Sequence, residues 1–208
     1  MTALLRRAAL TLALALVVGG LAAPPAAAGA PSDQLKSQID HVLKVLDDAE
    51  LKKEGRAPER RSAVRKIANE IFDFGETARR SLGPHWQGRT PAEREEFVQL
   101  FTDLLERSYI SRVELYGGEK IQFLGDTTEG DQARVQTKLL TKSGSDIPIE
   151  YRMHRKGDRW LVYDVIIEGV SLVANYRTQF NKIIRTSSYQ ELVRKMKTKQ
   201  DELASGQS

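Results

Sequence analysis

Residues 117–167 read GGEKIQFLGDTTEGDQARVQTKLLTKSGSDIPIEYRMHRKGDRWLVYDVII. The apolar residues here recur with a period of two. Lys120 to Leu124 alternates. Ala133, Val135, Thr137 and Leu139 face one way, and Gln132, Arg134, Gln136 and Lys138 the other. Ile147, Ile149, Tyr151 and Met153 alternate with Pro148, Glu150, Arg152 and His154, and Trp160 to Ile167 is a nearly continuous apolar run. Three short turns separate the runs: Glu129-Gly130-Asp131, Ser143-Gly144-Ser145 and Lys156-Gly157-Asp158. Such spacing predicts an antiparallel meander of about four strands. Pro148 cannot donate to a ladder, which puts the third strand at an edge or Pro148 at that strand's own start.

On both sides of this block the period changes to that of a helix. Thr90-Pro91-Ala92-Glu93 is a capping box with proline at the first helical position. Phe97, Leu100, Phe101, Leu104, Leu105, Tyr109, Val113 and Tyr116 then form one stripe. Glu95, Gln99, Asp103, Glu106 and Arg107 are expected on the opposite face, and Gly117-Gly118 ends the helix. Upstream, Asp33 to Glu54 has helical spacing through Leu35, Ile39, Val42, Leu43 and Leu46, with Gly55 as its stop. A second helix begins near Pro58, and a short one ends at Leu82 before Gly83-Pro84. Downstream of Glu168-Gly169, Leu172, Val173, Tyr176, Phe180, Ile183 and Ile184 form a stripe, continued by Tyr189, Leu192, Val193 and Met196. Helices, then a curved antiparallel sheet, then helices is an α+β order, and no flexible linker divides it.

Composition narrows the function. The 208 residues contain no cysteine. That excludes disulfides, thiolate metal sites, a cysteine nucleophile and a lipid anchor at a signal junction. Met1 to Ala28 reads as a secretory signal peptide: Arg6-Arg7, an apolar run from Ala8 to Leu21, then Ala26-Ala27-Ala28 for cleavage. The expected mature chain, 29–208, is one domain with a tail that frays from about Lys197. Loss of residues 1–28 lowers the formal charge from +4 to +2. Basic and acidic residues are interleaved, so no nucleic-acid footprint stands out. A cysteine-free exported chain fits the periplasm.

Catalytic chemistry is sparse. His41, His85 and His154 are not at metal-ligand spacing, and there is no nucleophile elbow, phosphate loop or His-Glu-x-x-His. Asp164 and Glu168, four apart on one strand, are expected on one face. They either do acid–base work or bond the turn into the next helix. The first option describes an enzyme on a cone-shaped α+β fold of the nuclear-transport-factor type. A third option is a periplasmic chaperone or adaptor with a solid core. Periodicity cannot separate a filled core from a hollow one.

Two segments carry a family resemblance. One is Phe72-Asp-Phe-Gly-Glu-Thr-Ala-Arg-Arg-Ser-Leu-Gly-Pro-His-Trp86, continuing through Thr90-Pro-Ala-Glu-Arg-Glu-Glu-Phe97 to Tyr109. The other is Trp160-Leu-Val-Tyr-Asp-Val165, then Ile167-Glu-Gly-Val-Ser-Leu172 and Asn175-Tyr-Arg-Thr-Gln-Phe180. Together they resemble the MlaC family, also called the toluene-tolerance auxiliary family, from about Asp33 to Met196. The resemblance implies a non-enzymatic periplasmic phospholipid carrier with no cofactor. Its acyl chains would sit in an apolar cavity between sheet and helices. The implied partners are an inner-membrane ABC transporter with an MCE-domain protein and an outer-membrane lipoprotein complex. Cargo linked to hopanoids is a variant of the same reading. The residues it points to as lining or flanking the cavity are Phe97, Phe101, Leu104, Leu105, Tyr109, Tyr151, Met153, Tyr176 and Phe180. Trp86 and Trp160 are expected to anchor the scaffold, and Arg79, Arg80 and Arg177 to lie at the surface or near a headgroup phosphate.

Overall fold

A computed structural model describes residues 30–141 and 144–204. The signal-peptide segment, 1–28, lies outside the described residues. The first layer is helical: α1 (Pro31–Asp47), α2 (Ala57–Ile71), α3 (Phe74–Leu82), a 3-10 turn (Gly83–Trp86) and α4 (Pro91–Glu114). The sheet follows as β1 (Lys120–Glu129), β2 (Gln132–Leu140), β3 (Asp146–Lys156), β4 (Arg159–Ile167) and β5 (Val170–Ser171). Helices α5 (Leu172–Thr186) and α6 (Tyr189–Ala204) complete the described chain. The strands pair antiparallel in the order β1-β2-β3-β4-β5. The expected meander is present, extended by a two-residue fifth strand.

Register fixes which side chains share a face, because directly paired residues point the same way. Ala133, Met153 and Val162 form one row, Val135, Tyr151 and Val165 the next, and Thr137, Ile149 and Ile167 the third. Glu150, Arg152 and His154 pair with Ile166, Asp164 and Leu161 on the opposite face. That answers why β4 is apolar on both sides. One face joins the sheet's inner surface, while Leu161, Asp164 and Ile166 are buried on the other. There α3 and α5 pack: Thr77 Oγ1 donates to the Tyr163 carbonyl at 3.0 Å, and Val173 N donates to Asp164 Oδ1 at 3.0 Å. Two bulges, at Leu124 in β1 and at Tyr163 in β4, break the ladder. An inserted residue bends its strand and raises the local twist, which curves the sheet. Gly130 and Gly157 open the two-residue hairpin turns at φ 57° and 63°, a region costly for any residue with a Cβ.

Several expectations need correcting. The first helix stops at Asp47 rather than Glu54. Asp48 Oδ1 accepts from the backbone N–H of Glu50 and Leu51 at 2.8 and 3.0 Å, offering the chain a turn instead of another helical one. The third strand is central, not an edge; Pro148 sits near its start, before pairing with β4 begins at Ile149. Helix α6 continues past Lys197 to Ala204, with Lys197 reaching Glu96 on α4 at 2.7 Å. The capping box forms as expected: Thr90 N donates to Glu93 Oε2 at 2.8 Å, and Glu93 N to Thr90 Oγ1 at 3.2 Å.

Glu168 does not share a strand face with Asp164. It lies in the two-residue turn between β4 and β5 at φ 50°, followed by Gly169 at φ 81°. Left-handed backbone costs a residue with a Cβ about 1 kcal/mol. Glu168→Gly should therefore raise the thermal midpoint, by the equivalent of about 0.5–1 kcal/mol, and calorimetry will show it.

Candidate functional site

The buried apolar residues form two clusters with no member in common. One is wholly helical. Phe97, Phe101 and Leu105 of α4 meet Ala78 and Leu82 of α3, Phe180 of α5, and Tyr189, Leu192 and Met196 of α6. Phe180 stands edge-on to Phe97 and Phe101, with ring centroids 5.6 and 5.2 Å apart. The other joins Leu35 of α1 and Ile67 and Ile71 of α2 to Ala133, Val135, Met153, Trp160 and Val162 of the sheet. Gln34 ties α1 to the strand end. Its Nε2 donates to the Trp160 carbonyl at 2.8 Å, and its Oε1 accepts from Trp160 N at 3.0 Å.

Two cores leave a border between them. Half-buried apolar side chains packed against the helical core include Leu104 and Tyr109 of α4 and Leu172 and Tyr176 of α5. On the sheet side lie Phe123, Tyr151 and Val165, also half-buried. The sheet's inner face changes character along its length. Ala133, Val135, Met153 and Val162 are buried, whereas Leu139, Ile147, Ile149 and Tyr151 keep accessible surface and Ile167 is 41 % exposed. All are apolar or aromatic, so the change reflects what covers them. The exposed end is where β1 begins and β4 ends. Leu115, just before β1, is 81 % exposed, and Val170, just after β4, is 62 % exposed.

Tyr151 shows the border most clearly. Surrounding protein pushes its phenol up to about 12, against a smaller lowering by its hydrogen bond with Thr137. Yet the side chain retains accessible surface. Tyr176 is likewise raised to about 12, by burial and by the neighbouring Tyr109, with Ser108 opposing. Both phenols stay neutral across the physiological range and can donate a hydrogen bond.

The structure thus divides the nine residues singled out by the resemblance. Leu104, Tyr109 and Tyr176 are half-buried against the helical core, and Tyr151 is half-buried against the sheet core. Phe97, Phe101, Leu105 and Phe180 are packed inside the helical core, and Met153 inside the sheet core. Trp160 anchors the sheet core, and Trp86 lies half-buried under Arg94, 5.4 Å from its ring. Arg79 and Arg80 both bind Glu76, and Arg80 also lies 3.9 Å over the Tyr163 ring. Arg177 is exposed beside Gly83.

Asp164 is committed to the corner that launches α5. Its Oδ1 accepts from Val173 N at 3.0 Å, its Oδ2 from Ser171 Oγ at 2.7 Å, and Arg152 stands 3.8 Å away. His85 Nε2 is hydrogen-bonded to Asn181 Oδ1 at 2.9 Å, and His41 is exposed on α1. Among the described residues no group of three His, Asp or Glu side chains could hold a metal. No described helix is long and apolar enough to cross a membrane.

One residue escaped the sequence reading. Asp73 caps α3 by accepting from Glu76 N at 3.0 Å, and its other oxygen accepts from Lys156 at 3.1 Å and His154 at 3.2 Å. Its place in Phe72-Asp-Phe, just before a short helix, was the available signal. Burial would raise its carboxyl, but the Glu76 amide, Lys156 and His154 overcome this and hold it below 3.8. A depressed folded value adds stability above the unfolded one and loses it as pH falls through the folded one. Asp73→Asn should therefore lose more stability at pH 7 than at pH 3, as urea titrations at the two pH values will show. Asp73 also borders a surface cleft of about 580 Å³ between α3, the 3-10 turn and α4. Six of its ten lining residues are charged. It is separate from the apolar border.

The same arrangement of sheet and helices occurs in a solved structure. The phospholipid-binding protein from Ralstonia solanacearum, determined in complex with a phospholipid, matches with a TM-score of 0.74 at 22 % identity, covering 84 % of this chain and 99 % of that one. Its likeness establishes the α+β fold. The sequence profile of the family described as MlaC protein matches residues 36–198, and the chain belongs to that family. The intermembrane phospholipid transport system binding protein MlaC of Haemophilus influenzae is 26 % identical over 120 residues, 55 % of this chain and 56 % of that protein. The toluene tolerance protein ttg2D of Pseudomonas putida is 26 % identical over 92 residues, 44 % of this chain and 43 % of the relative. The chain thus spans about half the length of the curated relatives it matches.

Proposed function

We propose that this protein carries a phospholipid through the periplasm, with the acyl chains held along the border between the two cores. The observation that carries the reading is the divided core, whose flanking residues are apolar and only half-buried. The names of the MlaC and ttg2D relatives and the phospholipid held by the Ralstonia protein support it. Leu104, Tyr109, Tyr151 and Tyr176 touch the chains in this reading. Phe97, Phe101, Leu105, Phe180 and Met153 stiffen the walls behind them. The exposed end bearing Leu115, Ile167 and Val170 is the mouth. Residues 1–28 direct export and are removed, and an MCE-domain ABC transporter at the inner membrane and a lipoprotein complex at the outer membrane exchange the cargo.

Physical chemistry explains the design. At about 0.8 kcal/mol per methylene, some 30 methylenes left in water would cost roughly 24 kcal/mol. A carrier must cover nearly all of them, yet it breaks no bond and needs no reactive constellation. Asp164, tied to Ser171 and Val173, is accounted for by the β4–α5 corner. The test is a photoreactive amino acid placed at Tyr151 or Leu104, with one at Glu95 in the polar cleft as control. Irradiation should attach phospholipid at the first two and not the third. Equal labelling at all three, or none at Tyr151 and Leu104, contradicts the assignment.

A further inference from the structure

Helix α4 is held in two different ways along its length. The stretch up to Leu105 carries Phe97, Phe101 and Leu105, sunk in the helical core. Its C-terminal half carries Glu106 and Glu114, which the sequence pattern placed, for Glu106, on the outer face. Both turn out to be covered: each side chain is only 9 % exposed, and α2 does the covering. Arg65 meets Glu106 at 2.7 Å, while Arg60 and Arg61 meet Glu114 at 3.1 and 2.9 Å. Among the described residues, α2 contributes Ile67 and Ile71 to the sheet core and nothing to the core that holds α4. The described ion pairs between α2 and α4 are the side-chain bonds joining them, and Val64, between Arg61 and Arg65 on α2, is buried as well.

This matters because Tyr109, a proposed lipid contact, lies between Glu106 and Glu114 on the same stretch of α4, with Leu104 just before it. Separating an apolar interface leaves hydrocarbon in water, with no compensation. Separating an ion pair returns both partners to water, and their rehydration offsets most of the lost attraction. A contact of this kind holds when closed and opens at small net cost. We propose that Arg60, Arg61 and Arg65 with Glu106 and Glu114 form an ionic latch, and that its release lets the C-terminal half of α4 swing from α2 to admit or discharge the lipid. The hinge falls between Leu105, the last fully buried member of the helical core on α4, and Glu114. The proposal rests on the lipid-carrier reading for its purpose, but not for its detection.

Hydrogen exchange on the full mature chain reads the latch without reference to lipid. Glu106→Gln with Glu114→Gln should speed exchange in residues 106–114 at least fivefold and leave residues 94–101 unchanged. Raising the salt concentration should move the parent protein the same way. The charge-exchanged pair Arg65→Glu with Glu106→Arg should return exchange toward the parent rate if it refolds; the salt arm tests the latch even if it does not. Release of a fluorescent phosphatidylglycerol to acceptor vesicles should speed up in the double glutamine variant. It should slow when Arg61→Cys and Glu114→Cys are bridged by a short bis-maleimide in this otherwise cysteine-free chain. Unchanged exchange in residues 106–114 overturns the latch, and so does undiminished lipid release from the bridged protein. A parent protein that binds no lipid sinks the carrier reading alone, since the exchange arms still decide whether the latch exists.

Discussion

Phe101→Ala should destabilise the protein by about 3–5 kcal/mol, the largest loss expected from any single truncation in the helical core. Phe101 is 1 % exposed and its ring meets three others: Phe97 at 5.8 Å, Phe180 at 5.2 Å and Tyr176 at 4.9 Å between centroids. Removing it strips the transfer term and leaves a cavity between helices that are pinned elsewhere. The side chains around it belong to α4 and α5, so relaxation would have to move two helices at once. Urea denaturation measures the loss directly. A change below about 1 kcal/mol would mean that this cluster is not a filled core, and the division of the molecule into packed and open parts would fail with it.

The second large effect concerns ligand and not stability. Leu104→Trp adds an indole where a half-buried side chain edges the border. In a filled core such an insertion costs about 1–3 kcal/mol through strain. Beside an opening it takes up space meant for cargo. The expected result is a thermal midpoint close to the parent's and at least a tenfold fall in retained phospholipid, measured by extraction after gentle purification. Leu105→Trp, one residue on and buried at 6 % exposure, should instead lower the midpoint sharply. If both variants behave alike, Leu104 does not edge a ligand space.

These two variants mark where sequence reading reaches and where it stops. The α4 stripe was readable from Phe97 to Val113, with the expected Tyr116 falling beyond the helix end at Glu114, and so was its cap, because Thr90 and Glu93 satisfy each other's backbone locally. The inward rows of β2 and β3 followed from alternation alone. What alternation could not supply was the inner face of β4. A bulge at Tyr163 shifts its register, and α3 and α5 bury its second face. Nor could it tell Leu104 from Leu105. Both lie on the stripe, and only the neighbouring helices decide which meets a packed core. Glu106 was misplaced for a related reason: charge suggested solvent, but Arg65 on α2 meets it at 2.7 Å and the side chain is 9 % exposed. The end of α1 depended on one carboxylate, Asp48, capping its own turn.

The wider pattern is a chain that spends its apolar residues on two separate cores and leaves the surfaces between them half covered. That choice sacrifices burial that a single core would secure. In the proposed function a lipid restores it, its methylenes becoming the missing packing partner. Binding should consequently stabilise the protein, and delipidation should lower its thermal midpoint.

Native mass spectrometry of the mature protein, purified gently from a cell that makes phospholipid, tests the central claim most directly. The account predicts a population heavier than the polypeptide by one phospholipid, which collisional activation removes, and which Leu104→Trp nearly abolishes while leaving the fold intact. A protein that is uniformly free of lipid, with parent and Leu104→Trp giving the same bare mass, would contradict it.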